Sequence, residues 1–207
     1  MKKTAWIMIM LVTSTVAMAQ KGSFYIGGTV GYSSSTYKAP NGNKSGTNSW
    51  AFAPEAGTFL QNDIQLGLAL GLGGSTTKNN GNDTETTSNF NPTVYSRKFF
   101  KLTDNLSTFA GLYLDFISGK TTDHTITPAE ESKQSGIGVR LGVGVAYALS
   151  PRFTAVGQYG LLGYKSVKNK VAGNDAGTDS DFNFGVNTVG SGTVFNVGIY
   201  YTFKTAP

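Results

Sequence analysis

Apolar residues recur at every second position through eight stretches of the chain, which is the period of a strand with one apolar face. The segment QLGLALGLGG, Gln65 to Gly74, is the plainest case, with leucine alternating against glycine or alanine. A helix gains nothing from this spacing, and each glycine in it would cost roughly 1 kcal/mol against alanine. The segment therefore predicts a strand. One face is hydrocarbon (Ile64, Leu66, Leu68, Leu70, Leu72) and the other is nearly bare backbone (Gly67, Ala69, Gly71, Gly73). Before it, Phe24, Ile26, Val30 and Tyr32 mark a first strand, and Trp50, Phe52, Pro54 and Ala56 a second. After it come a fourth through Phe90, Pro92, Val94 and Phe100, and a fifth through Leu106, Ala110, Leu112, Leu114 and Phe116. A sixth runs from Ile137 to Tyr147, a seventh through Phe153, Ala155, Tyr159 and Leu161, and an eighth from Phe195 to Phe203.

The connections alternate between two lengths. QND (61–63), LTDN (102–105) and SPR (150–152) are short. Ser34 to Asn48, Ser75 to Ser88, Gly119 to Lys133 and Lys165 to Gly190 are long and rich in Asn, Thr, Ser, Gly and Lys. Short turns at one end and long polar loops at the other are the pattern of an outer-membrane barrel, and a soluble meander has no reason to segregate its loops.

The first residues support export. MKKTAWIMIMLVTSTVAMAQ has basic Lys2 and Lys3, an apolar centre, and Ala17 and Ala19 around Met18, as a secretory leader does. The expected division is a signal peptide at 1–19 and one barrel domain at 20–207. The remaining chain holds no apolar run long enough for a helix to cross a bilayer, so a membrane protein of this sequence must cross with strands. No cysteine is present, which removes disulfides and thiol chemistry. Without Lys2 and Lys3 the chain carries 15 basic side chains against 12 acidic ones, a net of +3. The charges lie mostly in loops, and no basic stripe points to nucleic acid.

In a barrel the leucine face meets lipid. Aromatics cluster near its strand ends, with Trp50, Phe90 and Phe116 toward the long loops and Phe24, Phe100, Tyr147, Phe153 and Phe203 toward the short turns. That arrangement predicts two interfacial girdles. The opposite face carries Glu55, Arg97, Asp115 and Arg140, together with Tyr95, Tyr113, Gln158, Asn196 and Tyr200. These residues predict a polar network inside a narrow lumen, with Asp115 and Arg140 paired across neighbouring strands and Glu55 near Arg97. An eight-stranded barrel is only wide enough for side chains to fill it, which favours a structural plug over a pore or a catalytic site. Pro54 and Pro92 lack the amide proton that pairing needs, so each predicts a local break in the ladder.

Other candidate chemistry is thin. His124 lies in TTDHTITPAEE, near Asp123 and Glu130. Lipid A deacylases place a serine two residues after the catalytic histidine, whereas Ile126 stands here. Asp175, Asp179, Asp181 and Asn183 are spaced like calcium ligands, but Phe184 and Gly190 stand where an EF-hand loop needs glycine and glutamate. No metal or cofactor is expected, and Lys165, Lys168 and Lys170 are candidates to hold lipopolysaccharide phosphates.

The phrases PEAGTFLQNDIQLGLALG, VYSRKFFKLTDNLSTFAG and VFNVGIYYTF resemble the outer-membrane β-barrel domain family related to OmpX and the OmpA transmembrane domain. The resemblance implies a closed, eight-stranded, antiparallel up-and-down barrel in the bacterial outer membrane. It also implies insertion by the barrel assembly machinery and a structural or surface role rather than an enzymatic one. Expected partners are outer-membrane lipid, lipopolysaccharide and a surface macromolecule met by the loops. Two alternatives make distinct predictions: a lipocalin-like secreted binder turns the leucine face inward, and a lipid-modifying barrel enzyme needs His124.

Overall fold

The structure is a computed structural model that describes residues 21–184 and 196–203. The leader expected at 1–19 lies outside these residues. Nine strands form: β1 Phe24–Lys38, β2 Lys44–Gln61, β3 Ile64–Asn79, β4 Asn82–Lys101, β5 Leu106–Asp123, β6 Glu130–Ala148, β7 Phe153–Val171, β8 Asn174–Phe184 and β9 Asn196–Phe203. Pairing is antiparallel throughout. It runs in order from β1 to β7; β7 then pairs with both β8 and β9, and β9 returns to β1. Among the described residues no helix is long and apolar enough to cross a membrane. The chain is an all-β antiparallel fold of outer-membrane barrel type.

The additional strand is β8, which comes from within the polar segment read as the fourth loop. It pairs with the upper part of β7, from Leu162↔Phe184 to Val171↔Asn174, while β9 pairs with the lower part, from Phe153↔Tyr201 to Gln158↔Asn196. The other long polar segments are also mostly strand. Their turns shrink to residues 39–43, 80–81 and 124–129, with 172–173 joining β7 to β8. Asn80 (φ 50) and Gly81 (φ 86) make the left-handed pair of a tight two-residue hairpin. Above the membrane both faces of a strand meet water, so paired strands there show no apolar alternation.

The longest strand, β4, has 20 residues. At about 3.3 Å per residue and a tilt of about 40°, such a strand rises about 50 Å, twice the apolar band of roughly 25 Å. The wall therefore continues well beyond the membrane as a rim of Ser, Thr, Asn and Lys.

The prolines interrupt the ladder on one side each. β2 pairs with β3 at Phe52↔Leu72 and again at Glu55↔Ala69, skipping Pro54, although Pro54 keeps its register with Gly28 of β1. β4 pairs with β5 at Phe90↔Ser118 and again at Thr93↔Asp115, skipping Pro92. The weak phase of the seventh strand also has a local cause. Leu141↔Leu162 is followed by Gly142↔Gly160, which leaves Leu161 as an inserted bulge residue. Leu162, not Leu161, therefore shares the outward phase of Leu141, a correction to the sequence reading.

The faces separate cleanly. Leu66, Leu68, Leu70 and Leu72 lie outside with 38–59 % of their surface exposed, whereas Tyr25, Tyr95, Arg97, Phe109 and Tyr113 are buried inside. This arrangement is the reverse of what a lipocalin-like binder requires. The inward glycines leave room for the rings. A Cβ on Gly67 would lie 2.1 Å from the Tyr25 hydroxyl and 2.7 Å from the Tyr95 ring, and one on Gly144 would lie 2.3 Å from the Phe109 ring.

Candidate functional site

Arg97, on the inward face of β4, is the centre of the lumen and is 1 % exposed. A guanidinium has five N–H donors in a fixed plane, and each of these has an acceptor. Nε donates to the Tyr113 hydroxyl (3.0 Å). One terminal nitrogen donates to Gln65 Oε1 (3.3 Å) and the Tyr200 hydroxyl (3.4 Å). The other donates to Glu55 Oε2 (3.1 Å) and Gln158 Oε1 (3.0 Å). Five strands, β2, β3, β5, β7 and β9, thus converge on one side chain from β4. The Tyr95 ring lies under the guanidinium, 4.1 Å from centroid to Cζ.

The acceptors are themselves held. The Tyr95 hydroxyl donates to Glu55 Oε2 (2.7 Å), so its one proton is used and Tyr25 supplies the proton in their 2.8 Å hydroxyl contact. The Tyr113 hydroxyl donates to Gln158 Oε1 (3.1 Å). Among the described residues no buried side-chain nitrogen or oxygen lacks a partner. That completeness keeps a buried charge tolerable.

A second ion pair stands nearer the end of the lumen at which the long hairpins lie. Arg140 Nε donates to Asp115 Oδ2 (2.5 Å), a terminal nitrogen donates to Oδ1 (3.0 Å), and Thr93 also donates to Oδ1 (2.7 Å). The Arg140 side chain is 41 % exposed and that of Asp115 14 %, so water reaches this pair. The Tyr113 ring joins the two pairs, with Arg140 Cζ 4.7 Å from its centroid and Arg97 bonded to its hydroxyl.

Below Arg97 the lumen is aromatic. Phe59, Phe99 and Phe109 pack in sequence, with centroids 6.0 and 5.2 Å apart, and Tyr25 meets both Phe59 and Tyr200. Sequence reasoning missed Phe59, Phe99 and Phe109 because it looked for polar residues inside, and it missed Tyr25 and Gln65, which lie low on their strands next to the short turns. Their parity was available, since Tyr25 alternates with Phe24 and Ile26, and Gln65 with Leu66. Of the residues named for the lumen, Glu55, Tyr95, Arg97, Tyr113, Gln158 and Tyr200 form one connected network, with Asp115 and Arg140 above it. The side chain of Asn196 lies outside the described residues. Phe24, Trp50, Phe90, Phe100, Phe116, Tyr147, Phe153 and Phe203, named for the girdles, are all exposed.

The remaining candidates are dispersed. His124 Nε2 meets Thr86 Oγ1 (3.2 Å), while Asp123 Oδ1 accepts from the backbone N–H (2.7 Å) and hydroxyl (2.6 Å) of Thr125. Those bonds hold the Asp123 carboxyl below its usual range. Asp175 pairs with Lys170 (3.6 Å), Asp179 accepts from Asn169 (2.7 Å), and Asp181 pairs with Lys165 (3.1 Å). By register Lys165 is on the inward face opposite Gly138, and so separates from Lys168 and Lys170, with which the sequence grouped it.

The sequence model of the family described as "Outer membrane protein beta-barrel domain" matches residues 4–203. The chain belongs to this family. It is accordingly an outer-membrane β-barrel protein of the bacterial outer membrane. A search of curated proteins returned no match. Among solved structures, the outer membrane protein OprG from Pseudomonas aeruginosa is similar in fold, at 14 % identity and a TM-score of 0.52. That alignment covers 92 % of this chain and 100 % of OprG. The translocator domain of the autotransporter NalP from Neisseria meningitidis aligns at 12 % identity and a TM-score of 0.48, over 87 % of this chain and 65 % of that one.

Proposed function

We propose that this outer-membrane protein is a closed barrel of eight staves, non-enzymatic and non-conducting, whose role is carried by its tall extracellular rim. Seven staves are β1 to β7. The eighth is shared, with β8 above and β9 below, both antiparallel to β7. The observation that carries this reading is the Arg97 network. Five strands donate acceptors to one arginine over an aromatic floor, which leaves the lumen filled by side chains rather than water. The network is a structural plug, and Asp115 with Arg140 extends it upward. The rim presents four hairpins to the outside, suited to contact with a surface macromolecule.

The test has two readouts. Purified protein in planar bilayers should give no unitary conductance, and incubation with lipopolysaccharide should leave its acyl chains and phosphates intact. Steady ohmic channels, or acyl release abolished by His124→Ala, would overturn the reading. The role of the rim is tested on cells. Replacing the strand ends and turns of the first three hairpins by Asn-Gly turns at membrane height should leave a heat-modifiable barrel and remove surface adhesion. Unchanged adhesion would place the role elsewhere.

A further inference from the structure

The outer wall above the apolar band is not uniform. On β5, β6 and β7 the outward residues follow a shared order, read from the membrane upward. Phe116, Ile137 and Ser166 make one register row; Ser118, Ser135 and Lys168 make the next; Lys120, Lys133 and Lys170 make the third. Three lysines thus stand directly abreast on adjacent strands, with a fourth diagonal to them. Like charges opposite one another across a sheet are destabilising. Within the protein the relief is partial, since Lys120 is paired with Glu131 and Lys170 with Asp175, while Lys133 and Lys168 make no ion pair among the described residues. The patch carries two uncompensated positive charges.

We infer that this wall of β5–β7 binds the phosphate groups of lipopolysaccharide in the surrounding outer leaflet. Two observations select that partner. On each of the three strands the first lysine stands two outward positions beyond Phe116, Ile137 or Tyr164, which end the apolar face. That is the depth at which the sugar phosphates of lipid A lie against a protein whose leucines are in its acyl chains. The serine row between supplies hydroxyls at the level of the sugars. The opposite wall differs. On β1 and β2 the outward lysines Lys38 and Lys44 stand one position further from Tyr32 and Trp50, and on β3 Lys78 is paired with Asp83. The bound lipid would therefore be held on one side of the barrel. The inference rests on the outer-membrane placement with leucines in lipid, which heat-modifiable migration on gels tests separately.

The experiment uses the full folded barrel in zwitterionic vesicles and measures binding of labelled bis-phosphorylated lipid A. Lipid A stripped of phosphate and phosphatidylglycerol serve as comparators. The expected result is preference for the bis-phosphorylated form. Lys133→Gln with Lys168→Gln should weaken binding on the order of tenfold, as two lysines near a charged surface imply. Added salt should shrink the difference. Lys38→Gln with Lys44→Gln should leave affinity unchanged. Equal binding by wild type and K133Q/K168Q, equal loss in the Lys38/Lys44 variant, or phosphatidylglycerol bound as tightly as lipid A would overturn the inference. Should the double variant fail to fold, Lys168→Gln alone makes the same comparison, with a smaller expected loss.

Discussion

Replacing Arg97 by methionine tests the plug most directly. The substitution keeps most of the side-chain volume and removes all five donors, leaving Glu55, whose side chain is 4 % exposed, without its cation. Breaking a buried pair from one side costs about 3–5 kcal/mol, mostly the penalty of the stranded charge. Gln65, Gln158, Tyr113 and Tyr200 lose a donor as well. Arg97→Met is therefore expected at the upper end of that range. Glu55→Gln keeps an acceptor for Arg97 and should cost about 1–3 kcal/mol. The double variant removes both charges, so its cost should fall short of the sum of the single costs by about 2 kcal/mol or more. Arg97→Lys should rescue only part of the loss, because an ammonium has three donors and no planar fork. The assay is reversible denaturant unfolding from vesicles, followed by Trp50 on the outer girdle. Single costs that add within about 0.5 kcal/mol would refute the coupling, and an Arg97→Met cost below about 1 kcal/mol would refute the plug itself.

Three further variants probe other parts of the wall. Asp115→Asn should cost about 1 kcal/mol or less in the same unfolding assay, because Arg140 is 41 % exposed and solvent screens the pair; a loss equal to that of Arg97→Met would mean that the two pairs are not distinguished by burial. Gly67→Ala places a Cβ 2.1 Å from the Tyr25 hydroxyl and should cost about 1–3 kcal/mol, whereas Gly31→Ala, whose nearest neighbour would be 3.9 Å away, should be close to neutral. Equal costs would remove the argument that the inward glycines make room for rings. Ala172 holds φ 49 at the β7–β8 turn, where asparagine is better tolerated, so Ala172→Asn should slow tryptic cleavage at Lys170 in the folded protein; unchanged cleavage would show that this hairpin is not limited by its turn.

The sequence carried the membrane-embedded half of the barrel and concealed the half above it, for one physical reason. In the bilayer a strand has lipid on one face and a crowded lumen on the other, so solvent enforces alternation, and Leu66 to Leu72 against Gly67 to Gly73 is its record. Beyond the girdle both faces of β1 to β8 meet water, and Thr76, Thr77 and Thr86 to Ser88 satisfy the sheet without any apolar period. What remains legible there is turn chemistry. Asn80-Gly81 is a strong two-residue hairpin signal in the middle of a segment that otherwise reads as loop. The lumen shows the same division. The charges of Arg97 and Glu55 drew attention because an unpaired charge is intolerable inside, whereas Phe59, Phe99 and Phe109 were passed over although their parity is inward. A narrow lumen has too little room for water around every residue, so near the short-turn end ring packing fills it at lower cost than further polar groups would. The aromatic floor and the arginine lattice are thus two solutions to one constraint, and only the one involving charge announces itself in the sequence.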